Sequence, residues 1–205
     1  MLIQLLVAAA LHVDPDAGNN KFSATFDAPL GERIEAVSSA VNCDLTYDDK
    51  AGAASGNCSV PLTSIMVDNE PTKTEHFQQW ATNKKSEPKE CKIQAKIDGL
   101  KVDPPALSAT PSKISGEVPF TVCGRPRSDG KKEKLSGNAM MLPDGRIRIR
   151  AKVDKFNRDK YRVGPKYTEG WLSRVQQLAP VVAEEGTLDV SIFAKPAETK
   201  AAGKP

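Results

Sequence analysis

The sequence contains few of the residues on which enzymes and nucleic-acid-binding proteins usually depend. Histidine occurs only twice in 205 residues, and aromatic residues make up 5% of the chain. The formal net charge of +3 is too small a basic excess for a protein whose main partner is nucleic acid. No basic patch carries interleaved aromatic residues for base stacking. We therefore expect no nucleic-acid partner.

The motifs that mark metal sites and catalytic nucleophiles are missing too. No CxxC or HxxxH spacing occurs among the four cysteines and two histidines, which argues against a zinc site. The GxSxG motif of serine hydrolases is also missing. Glu75 lies beside His76, but successive residues of a helix point in different directions. We therefore expect no catalytic residue, no metal ion and no cofactor, and we interpret His76 as a structural residue.

A long apolar run occurs only at the N-terminus. Residues 2–10 are apolar apart from Gln4, which is too short a run to span a bilayer. The run fits the apolar region of a secretory signal peptide, and the alanines at positions 8–10 offer a cleavage site. It lacks the preceding basic residue of such a signal, so a first β-strand is the alternative. We predict a signal peptide over residues 1–10 and a periplasmic or secreted protein.

Most of the remaining chain alternates apolar and polar residues with a period of two. In residues 146–153, isoleucine, alanine and valine alternate with arginine and lysine, and residues 41–48 alternate in the same way. Similar segments occur at residues 22–26, 91–97, 118–122 and 188–192. This pattern is typical of half-buried antiparallel strands. About eight strands are predicted, which favours an all-β, eight-stranded antiparallel barrel without exposed edges.

Two segments have helical rather than strand periodicity. In residues 72–82, Thr72 and Glu75 match a capping box, and Phe77 and Trp80 recur at helical spacing. Residues 169–183, which include Trp171, show the same spacing. The sequence therefore predicts two short helices that plug or flank the barrel.

The four cysteines can be placed by strand register. Cys43 and Cys58 lie at equal distances from the centre of the loop at residues 50–51, so they should face each other across a hairpin and form a disulfide. Cys91 and Cys123 are likewise equidistant from residue 107. That register pairs apolar residues with polar ones, however, unless a β-bulge shifts it by one residue. We predict a Cys91–Cys123 disulfide, with two buried thiols as the alternative.

A turn at residues 143–145, Pro-Asp-Gly, predicts another hairpin. If the turn is centred between residues 144 and 145, Met140 lies opposite Ile149 and Leu142 lies opposite Ile147. This register predicts that Met140 points into the barrel.

Several short motifs occur in a suggestive order: "NKFSATF", "KTEHF", "EPKECKI", "FTVCG" and "RDKYRVG". In order and spacing the chain resembles the YceI-like family of bacterial periplasmic proteins. The resemblance implies a lipocalin-like barrel with an apolar tunnel for a long-chain lipid, such as a polyisoprenoid or a fatty-acid derivative. We expect residues 11–196 to form this barrel domain and residues 197–205, which lack apolar residues other than alanine, to be a disordered tail.

The expected tunnel is lined by apolar residues of mixed size, and its small alanines leave room for a ligand. The predicted lining residues are Phe22, Ala24, Phe26, Leu45, Phe77, Trp80, Ile93, Ala95, Phe120, Met140, Ile149 and Trp171.

On the outer face of the same barrel, Arg146, Arg148, Arg150 and Lys152 form a basic stripe along one strand. We interpret the stripe as a solvated face balanced by Asp154 and Asp189; the alternative is docking to an anionic membrane or an acidic partner. The predicted function is non-catalytic binding or carriage of a long-chain lipid. The alternatives are an envelope protein-interaction module with a filled barrel and, less favoured, an enzyme acting on a lipid. A homodimer is compatible with each of these functions.

Overall fold

The computed structural model describes residues 9–82, 87–168 and 182–196. Within these ranges one α-helix interrupts a series of β-strands. The strands are β1 (Ala9–Val13), β2 (Lys21–Asp27), β3 (Arg33–Ser38), β4 (Asn42–Asp48), β5 (Ala53–Pro61), β6 (Met66–Val67), β7 (Lys92–Asp103), β8 (Ser112–Val118), β9 (Phe120–Val122), β10 (Arg125–Pro126), β11 (Glu133–Met141), β12 (Ile147–Asn157) and β13 (Glu185–Pro196), and the helix is α1 (Pro71–Ala81). Short 3-10 turns connect several of them.

Eight of these strands form a closed antiparallel barrel, as the sequence predicts. Their order around the barrel is β1-β4-β5-β7-β8-β11-β12-β13, and β1 pairs with β13 to close it. The N-terminal half of β13 pairs instead with β2, which continues through β3 to the short strand β6. The first strand of the barrel is therefore divided into β1 and β2, which pair with successive parts of β13.

The period-two pattern correctly identifies the inner faces of the strands. Val41, Cys43, Leu45 and Tyr47 are all at most 8% exposed, whereas the intervening residues of β4 face outward. One predicted strand is divided, however, because Pro119 lies between β8 and β9. Proline has no main-chain N–H to donate to a neighbouring strand. As a result, β8 pairs with β11, and β9 pairs with the start of β7.

The β11–β12 hairpin corrects the predicted register by one residue. Ala139 pairs with Ile149, and Met140 pairs with Arg148, so the predicted pairing of Met140 with Ile149 is wrong. The cause is a three-residue loop centred on Asp144, in which Gly145 has a left-handed φ of 81°. Ala139 is consequently buried on the inner face, and Met140 lies on the other face.

Helix α1 packs beside β6, where the strand extension ends. It begins at Pro71, and its N-cap residue, Glu70, makes no side-chain capping bond, so the predicted capping box is wrong. At the other end, the Arg125 guanidinium donates to the carbonyl oxygens of Ala81 and Thr82. The helix is thereby held between β6 and the β9–β10 ribbon. The second predicted helix lies outside the described residues, apart from its last two residues, which are not helical.

Both predicted disulfides are present. Cys43 and Cys58 are directly paired across β4 and β5, with their Cα atoms 4.1 Å apart. Cys91 is bonded to Cys123, although Ile93 pairs with Val122 and not with residue 121. Cys123 directly follows the end of β9 and has a left-handed φ of 48°. This main-chain conformation accommodates the one-residue mismatch.

The two predicted terminal segments lie largely outside the described residues. Residues 9 and 10, the last of the predicted signal peptide, are part of β1 and pair with β4. The signal peptide and the disordered tail therefore stay predictions. Among the described residues, no helix has both the length and the apolar character needed to cross a bilayer.

Candidate functional site

The barrel interior contains two apolar cavities. The lower cavity has a volume of about 110 Å³ and is lined mainly by apolar side chains, and β4, β5, β7 and β12 contribute much of its wall. The second cavity, called the upper cavity because it lies at the end of the barrel that α1 covers, has a volume of about 350 Å³. The upper cavity is within the range of about 300–1,000 Å³ that is common for small-molecule sites.

The structure places ten of the twelve predicted lining residues on these cavities. Those on the lower cavity are Phe22, Leu45, Ile93, Ala95, Phe120 and Ile149. Those on the upper cavity are Ala24, Phe26, Ile93, Phe77 and Trp80. Met140 lines neither cavity, because of the register described above, and Trp171 lies outside the described residues. That these residues contact a ligand stays a prediction.

Ile93 lines both cavities, which therefore adjoin at its level. Residues of neighbouring strands also divide between the two cavities at the level of Ile93. On β2, Phe22 faces the lower cavity and Ala24 the upper one. Phe120 of the lower cavity meets Phe156 of the upper cavity edge to face, with the ring centroids 6.3 Å apart. The side chains of Ile93, Phe120 and Phe156 therefore lie where the two spaces meet.

Helix α1 provides one wall of the upper cavity. Lys73, His76, Phe77 and Trp80 recur at helical spacing, so they share one face of the helix, and all four line the cavity. The His76 and Trp80 rings stack with their centroids 6.3 Å apart. Glu75 is exposed and accepts a hydrogen bond from Gln79. Glu75 therefore bonds to Gln79 and not to the imidazole of His76.

The polar side chains of the upper cavity are Lys73, His76 and Arg158. The Lys73 ammonium lies 2.9 Å from an Asp68 carboxylate oxygen and 3.0 Å from one of Glu70. The hydrogen bond to Asp68, supported by the one to Glu70, raises the pKa of Lys73. Its charge is thus already matched by two acids.

Arg158 was not identified as a site residue from the sequence. It follows β12 in a 3-10 turn and is only 8% exposed. The sequence signal available was the "FNRDKYRVG" segment, a polar turn directly after a strand, which gives no indication that the arginine is buried. Lys73 could have been found from its helical spacing to Phe77 and Trp80.

Among solved structures, the fold of this chain resembles that of a protein described as a polyisoprenoid binding domain from Saccharophagus degradans implicated in plant cell wall breakdown. The match has a TM-score of 0.62 at 11% sequence identity, and it covers 92% of this chain and 99% of that chain. No protein-family model matches the sequence, and no curated protein matches it. The two chains share a fold.

The basic stripe on the outer face of β12 is only partly solvated. The guanidinium carbons of Arg146 and Arg148 lie 5.4 Å and 5.3 Å from the ring centroid of Phe193, so they cover this outward-facing aromatic residue. Lys152 pairs with Asp154 at 2.7 Å, as predicted, and lies opposite Asp189 on β13. Binding of an acidic partner or an anionic membrane through Arg146, Arg148 and Arg150 stays a prediction.

No group of three or more side chains suited to binding a metal ion occurs within residues 9–82, 87–168 and 182–196. The candidate site is the pair of adjoining cavities, and its chemistry is that of apolar burial with a few polar groups beneath α1.

Proposed function

We propose that this chain is a divergent YceI-like protein that binds one long-chain lipid, of isoprenoid or fatty-acid type, along the barrel axis without catalysing a reaction. The observation that carries the proposal is the apolar wall shared by the two cavities at Ile93. The fold likeness to a domain described as binding polyisoprenoids supports the same ligand class.

The dimensions of the barrel suit an elongated ligand. Strand β7 has 12 residues, which corresponds to about 40 Å of strand at roughly 3.3 Å per residue. At a strand tilt of about 35–45° the barrel is about 30 Å long. Each methylene group buried in it would contribute about 0.8 kcal/mol to the free energy of binding, before the entropy lost on association.

The compartment that fits the proposal is oxidising. Disulfides persist in periplasmic and secreted proteins and are rare in reducing compartments. One disulfide joins β4 to β5, the other joins the residue before β7 to the residue after β9, and Cys58 lines the lower cavity. We therefore propose a periplasmic or secreted lipid carrier.

Native mass spectrometry of the gently purified protein tests the proposal. We expect additional mass of several hundred daltons that is lost on denaturation, and Ala95→Trp should abolish it by filling the lower cavity. The matched control is Lys96→Trp, since Lys96 is the outward-facing neighbour of Ala95. Absence of any adduct in the wild type, even after incubation with polyisoprenoids and fatty acids, would favour the alternative of an interaction module with a filled barrel.

A further inference from the structure

Arg158 has hydrogen-bonding capacity that its neighbours do not use. Its Nη1 donates to the carbonyl oxygen of Val163 at 2.7 Å, its Nη2 to that of Val182 at 2.6 Å, and its Nε to that of Ala183 at 3.0 Å. A guanidinium group has five N–H donors. Within the described residues, one N–H on each terminal nitrogen is thus left over, on a side chain that lines the upper cavity.

Within the described residues, Arg158 also forms no ion pair with an acid. Burial lowers its pKa, whereas Glu184 and Asp159 raise it through space without forming an ion pair with it. Both of these carboxylates instead bind Lys166. Buried charges in proteins are normally paired, because an isolated buried ion is strongly unfavourable.

The other polar groups of the upper cavity do not compete for the same role. Lys73 is paired with Asp68 and Glu70, and His76 is stacked on Trp80. No described lining residue of the upper cavity is an aspartate or a glutamate. The described lining residues of the lower cavity are mainly apolar, and none of them is charged. A polar group on a bound lipid would therefore be accommodated beneath α1, next to the buried Arg158 guanidinium.

We infer that the ligand is a lipid with an anionic head group, a carboxylate or a phosphate, which binds to the two remaining N–H donors of Arg158 while its chain extends toward the lower cavity. This inference rests on the lipid-binding function proposed above. Two N–H donors on one guanidinium match the two oxygens of a carboxylate or phosphate.

A head-group series on the wild-type protein tests the inference. The probes are hexadecanoate, hexadecyl phosphate and hexadecanol, which share one chain length, titrated calorimetrically at about pH 8, where the carboxylic acid is ionised. We expect at least one of the two anions to bind about tenfold or more tightly than the alcohol, and the tighter anion identifies the head group. Equal affinities for the alcohol and both anions would overturn this inference and leave lipid binding intact. Binding of none of the three would overturn the proposed function as well.

Two variants locate the effect. Arg158→Gln should reduce the preference for the anion to near unity, and Arg158→Lys should restore part of it. Lys152→Met is the matched control, because it removes a paired positive charge from the outer face of the barrel, away from both cavities, and it should keep the preference. A folded Arg158→Gln protein with an unchanged preference would assign Arg158 a purely structural role and overturn the inference. If that variant does not fold, the wild-type series alone decides.

Discussion

The rings of Phe120 and Phe156 meet edge to face, with their centroids 6.3 Å apart, at the level where the two cavities adjoin. Phe120 belongs to the lower cavity and Phe156 to the upper one. Together with Ile93, which contributes to both walls, they form a partition across the barrel. Because these three side chains contribute to the partition, its width depends on their size.

Replacing Phe120 with alanine should remove part of the partition between the two cavities. We expect the variant to bind longer chains than the wild type and to lose roughly 2–4 kcal/mol of unfolding free energy, because Phe120 is only partly buried. Native mass spectrometry after incubation with fatty acids of graded length measures the first effect, and urea unfolding measures the second. Phe120→Leu is the control and should change both less. An unchanged chain-length limit would mean that Phe120 does not restrict the tunnel.

A buried hydrogen bond between Tyr161 and Glu133 should make the unfolding free energy of the protein vary with pH in the alkaline range. The Tyr161 hydroxyl donates to Glu133 Oε1 at 2.7 Å, and Arg127 contacts the same oxygen at 2.6 Å. Tyr161→Phe removes one of these two partners, so we expect a loss of about 1–3 kcal/mol of unfolding free energy near neutral pH.

The difference in unfolding free energy between the wild type and Tyr161→Phe should shrink above about pH 10. Burial, and next the bond to Glu133, raise the pKa of Tyr161. Below the unfolded-state pKa, about 10, both states keep the proton and the contribution is constant. Above that pH only the native state keeps the proton, so the unfolding free energy of the wild type falls by up to about 1.4 kcal/mol per pH unit. The variant lacks the hydroxyl and does not show this fall. Urea unfolding of both proteins from pH 7 to 11 checks this, and a constant difference across the range would contradict it.

Both disulfides should be intact in the protein as isolated. Alkylation under denaturing conditions should label no cysteine without reductant and four cysteines with it. The Cys43–Cys58 bond closes a loop of 15 residues, so the Cys43→Ala/Cys58→Ala double variant should lose about 3 kcal/mol of unfolding free energy. The Cys91–Cys123 bond spans 32 residues, and the corresponding double variant should lose slightly more. Four labelled cysteines without reductant would remove the argument for an oxidising compartment.

Gly137 is required by the close approach of β11 and β12. A Cβ atom at this position would lie 2.0 Å from the Arg150 carbonyl oxygen and 2.9 Å from the Ala151 Cα, so Gly137→Ala must displace main chain. At Gly116 the corresponding contact, 2.8 Å, is with the end of the Leu100 side chain, which can move. We expect Gly137→Ala to lose at least about 1 kcal/mol more unfolding free energy than Gly116→Ala. Equal losses, measured by urea unfolding, would show that the strands separate easily.

The sequence predicted the barrel and its inner faces because alternation has a fixed period along each strand. It placed Cys43 opposite Cys58 for the same reason. The prediction for Met140 is wrong because it assumed a two-residue loop. The actual loop has three residues, so the pairing shifts by one residue and Met140 lies opposite Arg148, on the other face of the sheet. Nothing in the sequence indicated that Arg158 is buried, because two of its three bonded carbonyls belong to residues 182 and 183, which are distant in the chain.

The pairing of β1 with β13 joins Val13 to Ala194, nearly the whole length of the chain apart. During synthesis, therefore, no closed barrel exists until the last strand has emerged from the ribosome. Until then β1 and β12 each present a row of unpaired main-chain groups, the kind of edge on which other chains aggregate. Contacts so distant in sequence also form slowly. A C-terminal truncation that removes β13 would leave both of these edges permanently unpaired.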